Sequence, residues 1–279
     1  MRAMNHDASL LRRPAECAAF VLLWMVAEHD LRLSPIAGQM MGIPLTAAFQ
    51  LAVARRPLQQ LWAFDAGKFR LDGKTLAIAG ALVAGCGALF WLGRGHDAGG
   101  LEERLMFFCL VAAAAIPAAL ALREQRAAAF GRALPWLLTA AVLRLAWHVA
   151  WQGGPVIFPA AKLLDFTTTW AGGFVALFLV DEVVFRGALD PHLRGASSGR
   201  LHEWCSAVFV SILWSIWHLP AYNPHAKSFP TLFSGLAPFY LGVLMIGVLL
   251  AFCARQARTL VPSSIMHAFG NAYVLALAK

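Results

Sequence analysis

The stretch Phe178-Leu179-Val180-Asp181-Glu182-Val183-Val184-Phe185-Arg186 sets two acids and a base inside an otherwise apolar run. Two later apolar stretches carry histidine: Trp214-Ser215-Ile216-Trp217-His218 and His267-Ala268-Phe269-Gly270-Asn271. If these runs enter a bilayer, each charge near its centre costs roughly 2.5–3.5 kcal/mol on insertion scales. Residues held at that cost face a bundle interior or a wet cavity and mark function.

The remaining sequence supports the bilayer setting. Of 279 residues, 59% are hydrophobic and 14% charged, against about 45–50% and about 25% in soluble domains. The fold class expected is all-α, a polytopic transmembrane helix bundle of about eight or nine spans. The candidate spans are 15–27, 35–54, 75–92, 105–122, 134–151, 167–185, 205–221, 232–254 and 260–277. The first is short and follows Arg12 and Arg13, as a signal peptide would, but Trp24-Met25-Val26-Ala27 is a poor cleavage site, so an uncleaved anchor is expected.

Loop charges give an orientation. Arg12/Arg13, Arg55/Arg56/Lys68/Arg70/Lys74, Arg123/Arg126/Arg132, Arg194/Arg200 and Arg255/Arg258 fall in alternate loops. The others hold Glu28/Asp30, Asp97/Glu102/Glu103, Lys162/Asp165 and Lys227. This alternation places the N-terminus in the cytoplasm. The net charge of +8 is therefore topological. No basic stripe with interleaved aromatics suggests nucleic acid. Cys17, Cys86, Cys109, Cys205 and Cys253 lie scattered in apolar stretches without a CxxC pair, so no zinc ribbon or disulfide framework is indicated. Ionisable groups inside spans concentrate after residue 165. The expected organisation is a scaffold of residues 1–165 and a functional core of residues 166–279, packed as one bundle.

Spacing then suggests a site. On an α-helix, Asp181 and Glu182 point about 100° apart, while Glu182 and Arg186, four apart, share a face. A Glu182–Arg186 ion pair with Asp181 aimed elsewhere is the natural arrangement. His267 and Asn271 also share a face, and Gly270 leaves room beside them. A carboxylate beside a histidine can hold and deprotonate water. A second histidine and an amide can stabilise an oxyanion. Two histidines, a carboxylate and water also match a catalytic zinc site, and spacing does not decide between the two. There is no HExxH and no GxSxG elbow. Taken singly, these residues also have plain readings as solvated helix ends, interfacial groups or packing glue. Arg144 and His148 form another i, i+4 pair, read as a structural tie or as a border of the substrate cavity.

An acid pair followed by three residues and arginine, then an aromatic, three residues and histidine, then histidine, three residues and asparagine resembles the CPBP family of intramembrane proteases. That family is related to the type II CAAX prenyl endopeptidases and to Abi proteins, and the resemblance spans roughly residues 165–275. It implies Asp181 as general base, Glu182 and Arg186 as its support, His218 as a helper in activating water, and His267 and Asn271 as oxyanion stabilisers. It implies an intramembrane endopeptidase of glutamic type without a cofactor, zinc being the alternative. The substrate would be a membrane-anchored protein or peptide cut near its C-terminus, in a bacterial inner membrane. The alternatives are a non-catalytic immunity or scaffold protein on the same fold and a proton-coupled transporter.

Two residues depart from the motif. Asp181 stands where the family has Glu, and Trp214 where it has Phe. Straight spans also put the acid pair near the cytoplasmic end of one helix and His218 near the outer end of the next. Some element within 166–221 must then be tilted or broken, and Gly187…Pro191 is the expected breakpoint.

Overall fold

Helix is the regular structure throughout the computed structural model, which describes residues 4–31, 33, 35–65, 71–93, 101–152, 162–195, 199–219 and 237–277. Among these residues there is no strand, only one antiparallel bridge between Ala63 and Thr259. Lys68, Arg70, Asp97, Pro220 and Lys227 lie outside the described residues, as do the side chains of Glu102, Glu103 and His148.

In chain order the helices are α1 Met4–Asp30, α2 Pro35–Ala48, α3 Gly73–Gly93, α4 Leu101–Glu124, α5 Ala127–Gln152, α6 Leu163–Leu177, α7 Asp190–Arg194, α8 Arg200–Trp217, α9 Ala237–Ala257 and α10 Val261–Leu277. A π-helical turn, Phe49–Val53, extends α2, and a 3₁₀ turn follows at Leu58–Leu61. Between α6 and α7 runs a π-helix of twelve residues, Phe178–Leu189.

Among the described residues, three helical segments are long and apolar enough to cross a membrane: Leu105–Glu124, Ala127–Trp147 and Tyr240–Ala257. Gly73–Leu89 is apolar but shorter. The chain is thus a helical membrane protein. The other expected spans carry charge or are short. Residues 15–27 belong to a helix that also carries Arg12, Arg13, Glu16 and Glu28, the 167–185 stretch holds Asp181 and Glu182, and α10 has only seventeen residues.

Packing follows residue size. On α4, Ala114, Ala115, Ala118, Ala119 and Ala121 are at most 1% exposed, a small-residue face that admits close helix approach where lipid offers little hydrophobic drive. The main core joins Trp24 of α1, Phe178 and Phe185 of the π-helix, Trp214 and Trp217 of α8 and Leu250 of α9. Its outside is apolar too: Leu23 is 70% and Val142 62% exposed.

The expected break at Gly187…Pro191 does not occur. Pro191 sits at the start of α7, where the π-helix passes into α-helix without a break. Helix is continuous from Leu163 to Arg194. Gly187 serves a different purpose, because a Cβ there would collide with the carbonyl oxygen of Leu61. This continuity resolves the depth problem. Asp181 lies thirteen residues before Arg194, where α7 ends, and His218 eighteen after Arg200, where α8 begins. At about 1.5 Å per residue these are roughly 20 and 27 Å from the same end, so the antiparallel pair brings both to the middle of the bundle.

Ion pairs, one buried and one exposed, tie the helix ends. Arg255 of α9 pairs with Asp190 of α7 and donates to the carbonyl of Glu203 at 2.7 Å and to Ser206 Oγ at 2.9 Å on α8. At the α9–α10 turn, Arg258 pairs with Asp65, and Phe64 N–H donates to the Arg258 carbonyl at 3.0 Å.

Candidate active site

The π-helix places the acids. Its i→i+5 bonding widens the turn, so consecutive side chains diverge by less than the about 100° of an α-helix. Asp181 and Glu182 therefore reach the same imidazole. His267 on α10 directs Nδ1 to Glu182 Oε1 at 3.1 Å and Nε2 to Asp181 Oδ2 at 3.4 Å. Asp181 thus does not turn away from Glu182, as an α-helical spacing had suggested.

Behind Glu182 stands Arg186, with Nη1 at 3.5 Å and both side chains fully buried. The pairing expected from the i, i+4 spacing is therefore formed. Arg186 also donates from Nη2 to the Gly247 carbonyl at 3.4 Å, and its guanidinium lies 4.4 Å from the Trp214 ring centroid. Gly247 allows this approach of α9 to α8, since a Cβ would come within 2.9 Å of Ser211 and Trp214.

His218 caps α8. Its Nδ1 lies 2.9 Å from the Trp214 carbonyl, so that nitrogen carries the proton and Nε2 keeps a lone pair. Nε2 faces Asp181 Oδ2 at 3.9 Å. Trp214 stands edge-on to both histidines, 4.8 Å from His218 and 5.1 Å from His267 between ring centroids. The motif aromatic thus holds both imidazoles and the arginine, and its backbone fixes one tautomer. The sequence offered one sign of this, the i, i+4 spacing of Trp214 and His218.

One donor atom each from Asp181, His218 and His267 lies within 4.8 Å of the others. One water molecule or one metal ion can reach all three. The gaps of 3.4 and 3.9 Å from Asp181 to the two histidines are longer than ordinary hydrogen bonds. Asp181 Oδ1 is buried without a hydrogen-bond partner.

A cavity of about 40 Å³ adjoins the cluster, lined by Arg144, Trp214, His218, His267, Gly270 and Asn271 among others. It has room for two or three water molecules. Asn271, half-buried, borders it beside His267. All six residues singled out from sequence thus stand at or directly behind one buried site. Both ring nitrogens of His267 face carboxylates, however, so it can serve an oxyanion only by sharing the proton now directed at Asp181.

Two histidines and a carboxylate converge beside a small cavity inside a helical bundle, an arrangement able to hold one water molecule or one metal ion. Residues 164–273 match the family described as type II CAAX prenyl endopeptidase Rce1-like. The match spans all three motifs and supports a CAAX-type intramembrane protease in general. No curated protein and no solved structure matches the chain.

Proposed function

We propose that the protein is an intramembrane endopeptidase that hydrolyses a peptide bond near the C-terminus of a membrane-anchored protein or peptide, with residues 1–165 as scaffold and 166–279 carrying the chemistry. The observation that carries this reading is the convergence of Asp181, His218 and His267 within 4.8 Å from three separate elements.

In this reading a water molecule sits at the point common to the three donor atoms. Asp181 takes its proton while the hydroxide oxygen attacks the scissile carbonyl carbon, and His218 Nε2 accepts a hydrogen bond that orients the attack. Negative charge then builds on the carbonyl oxygen, where the Asn271 amide and the Nε2–H of His267 donate. Collapse of the tetrahedral intermediate breaks the C–N bond, and Asp181 returns the proton to the leaving nitrogen. No covalent enzyme intermediate forms. Glu182 and Arg186 hold His267 in place. Arg144, on the cavity wall, suits a substrate carboxylate.

The donor set favours a second reading. Asp181, His218 and His267 fit a zinc ion, with the Trp214 carbonyl and Glu182 as the outer acceptors that metal-bound histidines require. Zinc would supply Lewis acidity at the same spot, with the site built from the same residues.

The test is cleavage of farnesylated CAAX peptides and of hydrophobic-tailed peptides by the purified chain in liposomes, with and without a zinc chelator. Cleavage lost in Asp181→Asn and His267→Ala supports the enzyme. Substrate-dependent proton uptake without cleavage would support a carrier instead.

A further inference from the structure

At the end of the bundle away from the acid–histidine cluster lies a much larger cavity, of about 520 Å³. Arg12, Arg13, Glu16, Arg55, Arg56 and His192 line it. The volume falls within the roughly 300–1,000 Å³ usual for small-ligand sites.

Its charge is unbalanced. Four guanidinium groups face one carboxylate, and Glu16 is already engaged by Arg12 at 2.7 Å and by His192 at 2.7 Å. Nη1 of Arg56 is buried without a hydrogen-bond partner. Burial and the neighbouring Arg194 push Arg56 below the ordinary arginine value, as expected of a cation short of counter-charge.

The walls are built rather than incidental. Gly195 has φ +54°, and a Cβ there would strike the Arg13 guanidinium, so the turn after α7 leaves that group its place. Arg55 holds a left-handed φ of 53°, uncommon for a side chain of its size. Leu11 and Leu51, 75% and 56% exposed, stand near the rim in sequence, and Val53 lines the cavity. A basic hollow with apolar neighbours at the end of a membrane bundle suits a ligand that is anionic at one end and greasy at the other.

We propose that this cavity binds the phosphate headgroup of an anionic phospholipid, held by Arg55, Arg56 and Arg13, with its acyl chains against the apolar surface outside. The site is separate from the acid–histidine cluster and does not depend on what that cluster does.

Native mass spectrometry of the full chain, released from vesicles of equal phosphatidylglycerol and phosphatidylcholine, tests it. Wild type is expected to retain phosphatidylglycerol over phosphatidylcholine. The double variant Arg55→Gln/Arg56→Gln should retain about tenfold less, two cations each contributing on the order of a few-fold. Arg12→Gln/Arg13→Gln should show the same loss and serves if the first variant fails to fold. Arg132→Gln, a basic residue outside the cavity, should bind as wild type. Equal retention of the two lipids, or undiminished phosphatidylglycerol in both double variants, overturns the proposal. Millimolar inorganic phosphate that displaces the lipid completely would identify a soluble phosphate ligand and overturn it as well.

Discussion

Neutralising either acid of the adjacent pair should have opposite consequences for stability and activity. Glu182 and Arg186 are both fully buried, 3.5 Å apart, and His267 Nδ1 lies 3.1 Å from the same carboxylate. Glu182→Gln keeps the shape but leaves the guanidinium with only the Gly247 carbonyl and the Trp214 ring as partners. Breaking a buried ion pair in this way costs about 3–5 kcal/mol. Asp181 has no polar contact closer than 3.4 Å, and one of its oxygens has no hydrogen-bond partner. Asp181→Asn therefore costs about 1 kcal/mol or less, since no short hydrogen bond is lost. Removing a general base costs about 10²–10⁴-fold in rate, or roughly 3–5 kcal/mol of barrier. Thermal unfolding in detergent, followed by circular dichroism, should show Asp181→Asn close to wild type and Glu182→Gln clearly destabilised. Tail-peptide cleavage should be lost in Asp181→Asn although it is folded. If Asp181→Asn unfolds as early as Glu182→Gln, or cuts at the wild-type rate, the division of labour between the acids is wrong.

Other expectations follow from the same contacts. Gly247→Ala should lower both melting temperature and cleavage, because its Cβ would press on Ser211 and Trp214 at 2.9 Å and overpacking costs about 1–3 kcal/mol; an unchanged melting temperature would refute that packing. A zinc chelator should leave cleavage intact in the metal-free reading, and loss restored by added zinc would replace that reading with the metal one. The Arg258 hydrogen bond holds Asp65 below its ordinary carboxylate value. A lowered folded value means that the pair's contribution is present above the unfolded value near 3.8 and fades as pH falls through the folded one. For so exposed a pair it is about 0.2–1 kcal/mol. Asp65→Asn should thus lower the melting temperature slightly at pH 7, less in 1 M salt, and not at all at pH 2; a constant deficit across pH would refute the charge origin.

The legible part of the fold was its composition and its i, i+4 spacings. Apolar excess gave a helical membrane protein, and Glu182 with Arg186 gave an ion pair. The arrangement of Asp181 was not legible, because the expectation used α-helical angles and Phe178–Leu189 is a π-helix. No residue type announces that wider turn. The Gly187…Pro191 stretch misled for a related reason: proline was read as a helix breaker, whereas the π-helix runs through this stretch into α7. With the helix continuing to Arg194, the acids lie in the bundle's middle instead of at its edge. Arg255, read as a loop charge, proved to be the tie among α7, α8 and α9. Such long-range pairing has no local signature.

Single-turnover cleavage of a membrane-anchored tail peptide in H₂¹⁸O, read by mass spectrometry, addresses the reactive water most directly. One ¹⁸O in the new C-terminal carboxylate, an unmodified protein mass after acid quench, and no product from folded Asp181→Asn are the predicted results. An acyl adduct on the protein, or full cleavage by Asp181→Asn, would contradict direct attack by a water molecule held between Asp181 and the two histidines.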